Sequence, residues 1–390
     1  MWDETVGSAE RDGFERLLAA SSLATGVDMG TPEKLPAGRL RRLAARMGEQ
    51  ASIRYAIGIE LLPFRMVGVV VDENGERLAD DQLVLDDMDV TTVVSGAAAL
   101  TSALMDLVPY VRAADERVAL GFQQGGPVDV DSGTVLFYHK APPDPPGPVQ
   151  GIDWPDSQPL GRLLSQATGL PTVLGNDADA YAVYEMWFGA GRELSRFAIV
   201  LLREGVGSSL VVGNRLFDGP MELGHLSVLS DGKRQCDCGI VGCLETTGGI
   251  HGILESVHHY TQESLADVVA AARLAERPDT AHAVEAFKRA GHANAKGIGV
   301  IVDIARPQRV VVYVPPVLAD PAFRAAGAFR AEVETFRSYC HKVYAAGCEL
   351  VIQPLRPYDG AHGAALAALE RRFGIVAPAA AAGAAEGRQR

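Results

Sequence analysis

The runs RYAIGIELL (Arg54–Leu62), RMVGVVVD (Arg65–Asp72) and RLADDQLVL (Arg77–Leu85) decide the fold. Each is short, rich in β-branched and apolar residues, and bounded by polar or turn residues, which is the pattern of a strand. Glu73-Asn74-Gly75 supplies a turn between the second and third. Together they predict an antiparallel meander.

Working outward, Thr91–Arg112 is apolar at helical spacing, and VALGF (Val118–Phe122) reads as a short buried strand. That strand leads into the glycine-rich turn Gln123-Gln124-Gly125-Gly126-Pro127, whose glycines permit close backbone approach. A proline-rich loop, APPDPPGPVQG, precedes a helix over Pro159–Thr168, the strand PTVLG and a helix starting near Asp177. RFAIVLL then runs into Gly205 and Gly207 and on to SLVVGNRLF, echoing the first meander in order and length. The duplication predicts two lobes. Helices over Thr280–Ala305 and Pro321–Ala346 alternate with the strands RVVVYV and LVIQPL, so the class is α/β.

Lobe boundaries are expected at 54–175 plus a C-terminal helix over 360–374, and at 176–359. Residues 1–53 read as an appendage with a short helix over Glu10–Leu23, a Gly/Pro-marked loop at Gly30–Gly38 and a basic stretch, Arg39–Arg46. Residues 375–390 read as a flexible Ala/Gly tail.

At 390 residues, 47% hydrophobic and 22% charged, the composition is that of a globular chain. A net charge of -13 argues against wide nucleic-acid contact, because neutralising a phosphate backbone draws on clustered Lys and Arg. No apolar run approaches bilayer length, and the start, MWDETVGSAERDG, is acidic where a signal peptide is basic and then apolar. The expectation is a cytoplasmic protein with no membrane partner.

Three of the five cysteines crowd into one short segment, Cys236-x-Cys238 followed by Cys243, with His225 upstream. Three thiolates and an imidazole suit tetrahedral zinc, and Gly239 and Gly242 let the loop bend to bring them together. Four protein ligands leave no open position, so the zinc is expected to be structural. The competing reading is a set of ordinary buried thiols, which is how Cys340 and Cys348 read.

Around that cluster lie Glu222-Leu-Gly-His225 and Cys243-Leu-Glu245, and upstream, after a strand, stands Gly175-Asn176-Asp177-Ala178. In GNDADAYAVYEMWFGAGR, MELGH, CDCGIVGCLE and GAHGAALAALERRF, the chain from about Arg54 to Phe373 resembles the ROK family of repressors, open reading frames and sugar kinases. That family is built on the actin-like, hexokinase-like (ribonuclease H-like) two-lobed fold. The resemblance implies that Asn176, Asp177, Glu222, His225 and Glu245 face a bound hexose, with Gly126 added from the glycine-rich turn. Carboxylates and amides suit that work because each takes several directed hydrogen bonds. In the kinase members the aspartate matching Asp177 is the general base toward the attacking sugar hydroxyl. His225 is expected to touch both the metal and the sugar side. Against this, Asn-Asp after a strand is also a good helix cap, and lone glutamates are by default surface charges.

The phosphate loops depart from the kinase pattern. The first reads Gly58-Ile-Glu60-Leu-Leu62-Pro63-Phe64, with Leu62 and Phe64 expected to fill the phosphate space and Pro63 lacking an N–H. The second reads Arg203-Glu204-Gly205-Val206-Gly207-Ser208-Ser209, placing a carboxylate where a polyphosphate sits in a kinase. After VVVYV the family's glycines give way to Pro315-Pro316. The wording of the second loop and of FGAGR is similar to the regulator branch, whose members sense a sugar and bind DNA through an N-terminal winged helix. Residues 1–53 show no helix-turn-helix pattern, so DNA as a partner rests on the family branch alone.

Three readings stand at this point. The first is a sugar-sensing regulator or regulator-derived binding protein, expected to be a homo-oligomer as family members are. The second is a sugar kinase using ATP and Mg2+. The third is a member that keeps the fold for assembly alone.

Overall fold

A computed structural model describes residues 53–377 apart from 113, 141–151 and 229–233. The expected helix at Glu10–Leu23, the basic stretch Arg39–Arg46, the proline-rich loop and the tail from 378 onward lie outside the described residues.

The first sheet contains β1 (Tyr55–Leu62), β2 (Arg65–Asp72), β3 (Arg77–Val84), β4 (Val118–Gln124) and β5 (Thr172–Asn176), in the order β3-β2-β1-β4-β5. The meander is antiparallel, whereas β1–β4 and β4–β5 are parallel. Leu62 pairs with Arg65, so Pro63 and Phe64 form the hairpin turn, with Phe64 at φ 54°. β1 is covered on both faces. On one side lies α1 (Val90–Leu107), with α2 (Leu160–Thr168) in the same core; on the other lies α9 (Asp359–Phe373), which returns from the far end of the chain. The sequence permits that close contact through Gly58 and Gly121. A Cβ at either would collide with a carbonyl of α9, that of Ala361 or Ala364.

The second sheet repeats the plan with β6 (Arg196–Leu202), β7 (Val206–Val212), β8 (Arg215–Leu216), β9 (Arg309–Val314) and β10 (Glu349–Pro354), ordered β8-β7-β6-β9-β10. Again the first two pairings are antiparallel and the next two parallel. Its large core is shared with α5 (Ile250–Thr261), α6 (Val268–Glu276), α7 (Val284–Ala305) and α8 (Arg324–Val333). Between the lobes, α3 (Asp177–Trp187) packs on α9 of the first lobe and on β6 and β7 of the second. A Cβ at Gly363 would meet the carbonyl of Ala180, so the two helices touch backbone to backbone.

Three expectations change. The helix over Thr91–Arg112 is broken at Val108 into Val90–Leu107 and a four-residue helix at Pro109–Arg112, because Val108 precedes Pro109 and a residue before proline leaves the α region. The stretch Pro321–Ala346 is broken into α8, a 3-10 turn at Glu334–Ser338 and a four-residue helix at Lys342–Ala345. Asp303 accepts the His341 backbone N–H at 2.7 Å, which pulls the chain out of helix before the last piece. Finally, α1 does have the length and apolarity to span a bilayer, with a mean hydropathy of 1.4 over 18 residues. Its Val93, Ala97, Leu100 and Leu104 are buried in the first lobe's core, which is where that apolarity is spent.

Candidate sugar and metal site

Asn176 ends β5 and caps α3. Its Oδ1 accepts the Ala178 N–H at 2.9 Å, while its Nδ2 donates to the Gly126 carbonyl at 2.8 Å. Both ends of the amide are therefore occupied by protein, and Asn176 shapes the Gly125-Gly126 turn. Gly126 stands at φ 91°, which favours glycine, and a Cβ there would press on Phe137 and Tyr138. The cap expected of Asp177 thus falls on Asn176. Asp177 opens the first turn of α3, where the helix dipole favours a carboxylate. Its two oxygens lie 3.7 Å from the Cβ positions of Gly125 in the first lobe and Gly207 in the second, so it sits between the lobes.

The wall opposite is built on a 3-10 turn, Leu223–His225. Gly224 lies against the carbonyl of Val206, so the turn rests directly on the strand carrying Gly207, and Gly207 in turn neighbours Asp177. His225 Nε2 faces Glu222 at 3.8 Å, and its Nδ1 faces Glu245 at 3.3 Å. Glu245 begins α4 (Glu245–Gly248) and packs its carboxylate against Gly205, where a Cβ would strike it, with Gly224 close by. Burial raises Glu222 above the usual carboxylate range, helped by Glu245 and Asp177 and opposed by His225. The structure therefore brings Glu222, His225 and Glu245 to one wall, with Asp177 facing them across Gly207.

His225, Cys236, Cys238 and Cys243 converge, with ligand atoms all within 4.8 Å of one another. Cys238 and Cys243 are 3.6 Å apart at sulfur, and Cys236 Sγ is 3.4 Å from His225 Nδ1. A tetrahedron with Zn–S bonds of about 2.3 Å has edges of about 3.8 Å, so the donor set fits structural zinc in kind and in size. Gly239 and Gly242 turn the loop at φ 87° and 80°, as their placement predicted. Burial holds the Cys236 and Cys243 thiols up, the latter to about 11, so a divalent cation is what would draw off their protons. Arg234 fastens the loop to the helices behind it, donating to the carbonyls of Thr246 at 3.0 Å and Gly252 at 3.3 Å. Cys340 sits in a loop and Cys348 ahead of β10, both away from this cluster.

Sequence reasoning missed two features. Tyr138 and Trp154 stack edge to face at 4.9 Å, with the indole N–H donating to the Met88 carbonyl at 2.6 Å, and Tyr138 lines the Gly126 turn. The only hint was a pair of aromatics flanking the proline-rich loop. The second is at the phosphate loops. Phe64 does not fill that space; its N–H meets Met88 Sδ at 3.1 Å and its ring joins the first lobe's core. The two loops are instead joined by a buried ion pair, Arg203 to Glu60, with the Glu60 side chain 2% and the Arg203 side chain 15% exposed. Arg203 also donates to the Tyr181 hydroxyl at 3.0 Å and lies over its ring.

Two lobes of the same strand order, enclosing a carboxylate at a helix start, define the actin-like, hexokinase-like class. The chain belongs to the ROK family, whose model matches residues 56–369. It is 30% identical to a glucokinase of Halalkalibacterium halodurans over 45% of this chain and 54% of that one. It is also 30% identical to the DNA-binding transcriptional repressor Mlc of Escherichia coli, over 40% of this chain and 41% of the repressor. The chain thus spans about half the length of the curated relatives it matches. Among solved structures, a ROK hexokinase from Thermus thermophilus superposes with a TM-score of 0.63 at 26% identity, covering 82% of this chain and 99% of that one. A ROK-family transcriptional regulator, homologous to Mlc, gives 0.64 at 20% identity over 85% and 88%. Regulators and kinases both appear among the relatives.

Proposed function

We propose that this chain holds a hexose or related sugar between its lobes and acts as a sugar-responsive regulator, or a binding protein derived from one, without transferring phosphate. The observation that carries this reading is the Arg203–Glu60 pair, which closes the two phosphate loops on each other while leaving the sugar side furnished. A guanidinium already neutralised by a buried carboxylate has little to offer a polyphosphate. Pro315 and the helical turn starting at Pro316 further replace the N–H groups of the third loop.

In this reading Asp177, Glu222, His225 and Glu245 take the sugar hydroxyls, Asn176 and Gly126 shape the turn beneath them, and Tyr138 supplies an apolar face. One zinc ion on His225, Cys236, Cys238 and Cys243 fixes the wall, with His225 Nδ1 toward the metal and Nε2 toward Glu222 and the sugar. Zinc supplies no chemistry here beyond holding its ligands. Binding shifts an open–closed equilibrium of a cytoplasmic homo-oligomer and so alters its affinity for an output partner. Repressor relatives favour DNA as that partner.

Kinase activity is the second reading. It is favoured by Asp177, which stands at a helix start between the lobes, and by the glucokinase relatives. Thermal-shift titration with hexoses, amino sugars and N-acetyl sugars tests the pocket. Stabilisation by at least one is expected, and none by any of them rejects the sugar reading.

A further inference from the structure

Glu60 and Arg203 come from opposite lobes, Glu60 at the end of β1 and Arg203 just after β6. On its own side Arg203 is well supported. Tyr181 beneath it meets Tyr313 edge to face at 4.6 Å, and the Tyr313 hydroxyl donates at 2.5 Å to Glu185, which also accepts from Gln353. Across the cleft its ionic partner is Glu60. The cross-strand neighbour of Glu60 is Gln123, whose amide is buried with neither its nitrogen nor its oxygen hydrogen-bonded. Gln123 and Glu60 converge on Gly360 in the first turn of α9, where a Cβ would strike both. Glu60 is thus packed against the first lobe's own helix, while its charge is met by Arg203 from the other lobe.

The same hairpin leads to the sugar wall. The Arg203 carbonyl accepts the Ile250 N–H at 2.8 Å, the Glu204 carbonyl accepts from His251 at 3.2 Å, and Gly205 carries Glu245 against it. Glu245 therefore rests on the hairpin two residues from Arg203, and the start of the helix behind it is tied to the Arg203 and Glu204 carbonyls.

We propose that the Glu60–Arg203 pair is an inter-lobe latch, made when the lobes close and exchanged for water when they open, through which occupancy of the sugar pocket sets lobe closure. The physical ground is an asymmetry of buried ion pairs. Intact, the pair gains little over two hydrated charges, so closure is nearly balanced and a ligand can tip it; with one partner removed, the other is left charged and buried, which closure cannot tolerate. Removing both charges abolishes that penalty. As a regulation of the proposed sugar site, the latch rests on that reading, but its structural half does not need a sugar.

The test is a double-mutant cycle on the full chain with Glu60→Gln, Arg203→Met and the two combined, read by small-angle scattering without sugar and by sugar titration. Each single variant is expected to scatter as a more open particle and to bind sugar about tenfold or more weakly, and the double variant to return toward wild type in both. Zinc content and cooperative melting confirm that each variant is folded. Singles that scatter as wild type, or a double variant more open than either single, would overturn the latch. Should no sugar bind the wild-type protein while the scattering cycle holds, the latch stands and the sugar reading falls.

Discussion

Asp179 sits on α3 two residues beyond Asp177 and is half-buried against β7, where the Ser209 hydroxyl donates to its Oδ1 at 2.6 Å. Burial pushes its carboxyl up to about 6 from the ordinary 3.8; Ser209 opposes the shift, while the nearby charges of Asp177 and Glu222 add to it. A carboxyl raised in the folded state keeps a proton that the unfolded chain has released. Its contribution is most favourable below pH 4, declines as pH rises from about 4 to 6, and is a constant penalty above that window. Converted at 1.36 kcal/mol per tenfold, the gap corresponds to about 3 kcal/mol as a ceiling; solvent reaching a half-buried group brings the expectation to about 1–2 kcal/mol. Asp179→Asn keeps an acceptor for Ser209 and removes the charge. The variant should therefore be more stable than wild type at pH 7 and indistinguishable from it near pH 4, with the difference opening between. Paired melting curves across pH 4–7.5 measure this directly, since other raised carboxyls such as Asp359 cancel in the difference. A stability difference that is constant with pH, or that favours wild type at pH 7, refutes the burial argument.

Other outcomes follow from the site. Metal analysis of the purified protein should find about one zinc per chain, and Cys238→Ala should lose it and speed hydrogen exchange over 234–245; zinc retained in that variant would count against the ligand set. Gly224→Ala places a methyl on the Val206 carbonyl, forcing the Glu222–His225 turn back by about 1 Å. It should weaken sugar binding at least tenfold without unfolding either lobe, as titration would show. Asn176→Ala removes both the α3 cap and the bond to Gly126, and should cost about 1–2 kcal/mol in denaturant melts.

The strands and their duplication were legible because β-branched runs between turn residues leave few alternatives, and the metal cluster because its spacing is local. Helix ends were less so. Val108 before Pro109 could be read as a stop from the sequence, but the break before Lys342 depends on Asp303, which lies 38 residues away. Local motifs singled out Asp177, Glu222, His225 and Glu245, which the fold brings near one another, yet nothing local showed that Asn176 spends its amide on the Gly126 turn. Phe64 was misplaced for a related reason: its left-handed backbone turns the ring into the core, away from the phosphate loop. The Glu60–Arg203 contact spans 143 residues and joins two loops that each read only as damaged kinase motifs. Pairing of that kind is a property of the closed fold.

The most direct test of the central claim is a coupled ADP-release assay on zinc-loaded protein with ATP, Mg2+ and the sugars that shift its melting. The account predicts sugar binding with no sugar-dependent ADP release. Sugar-dependent turnover that Asp177→Asn abolishes would contradict it and make the chain a kinase.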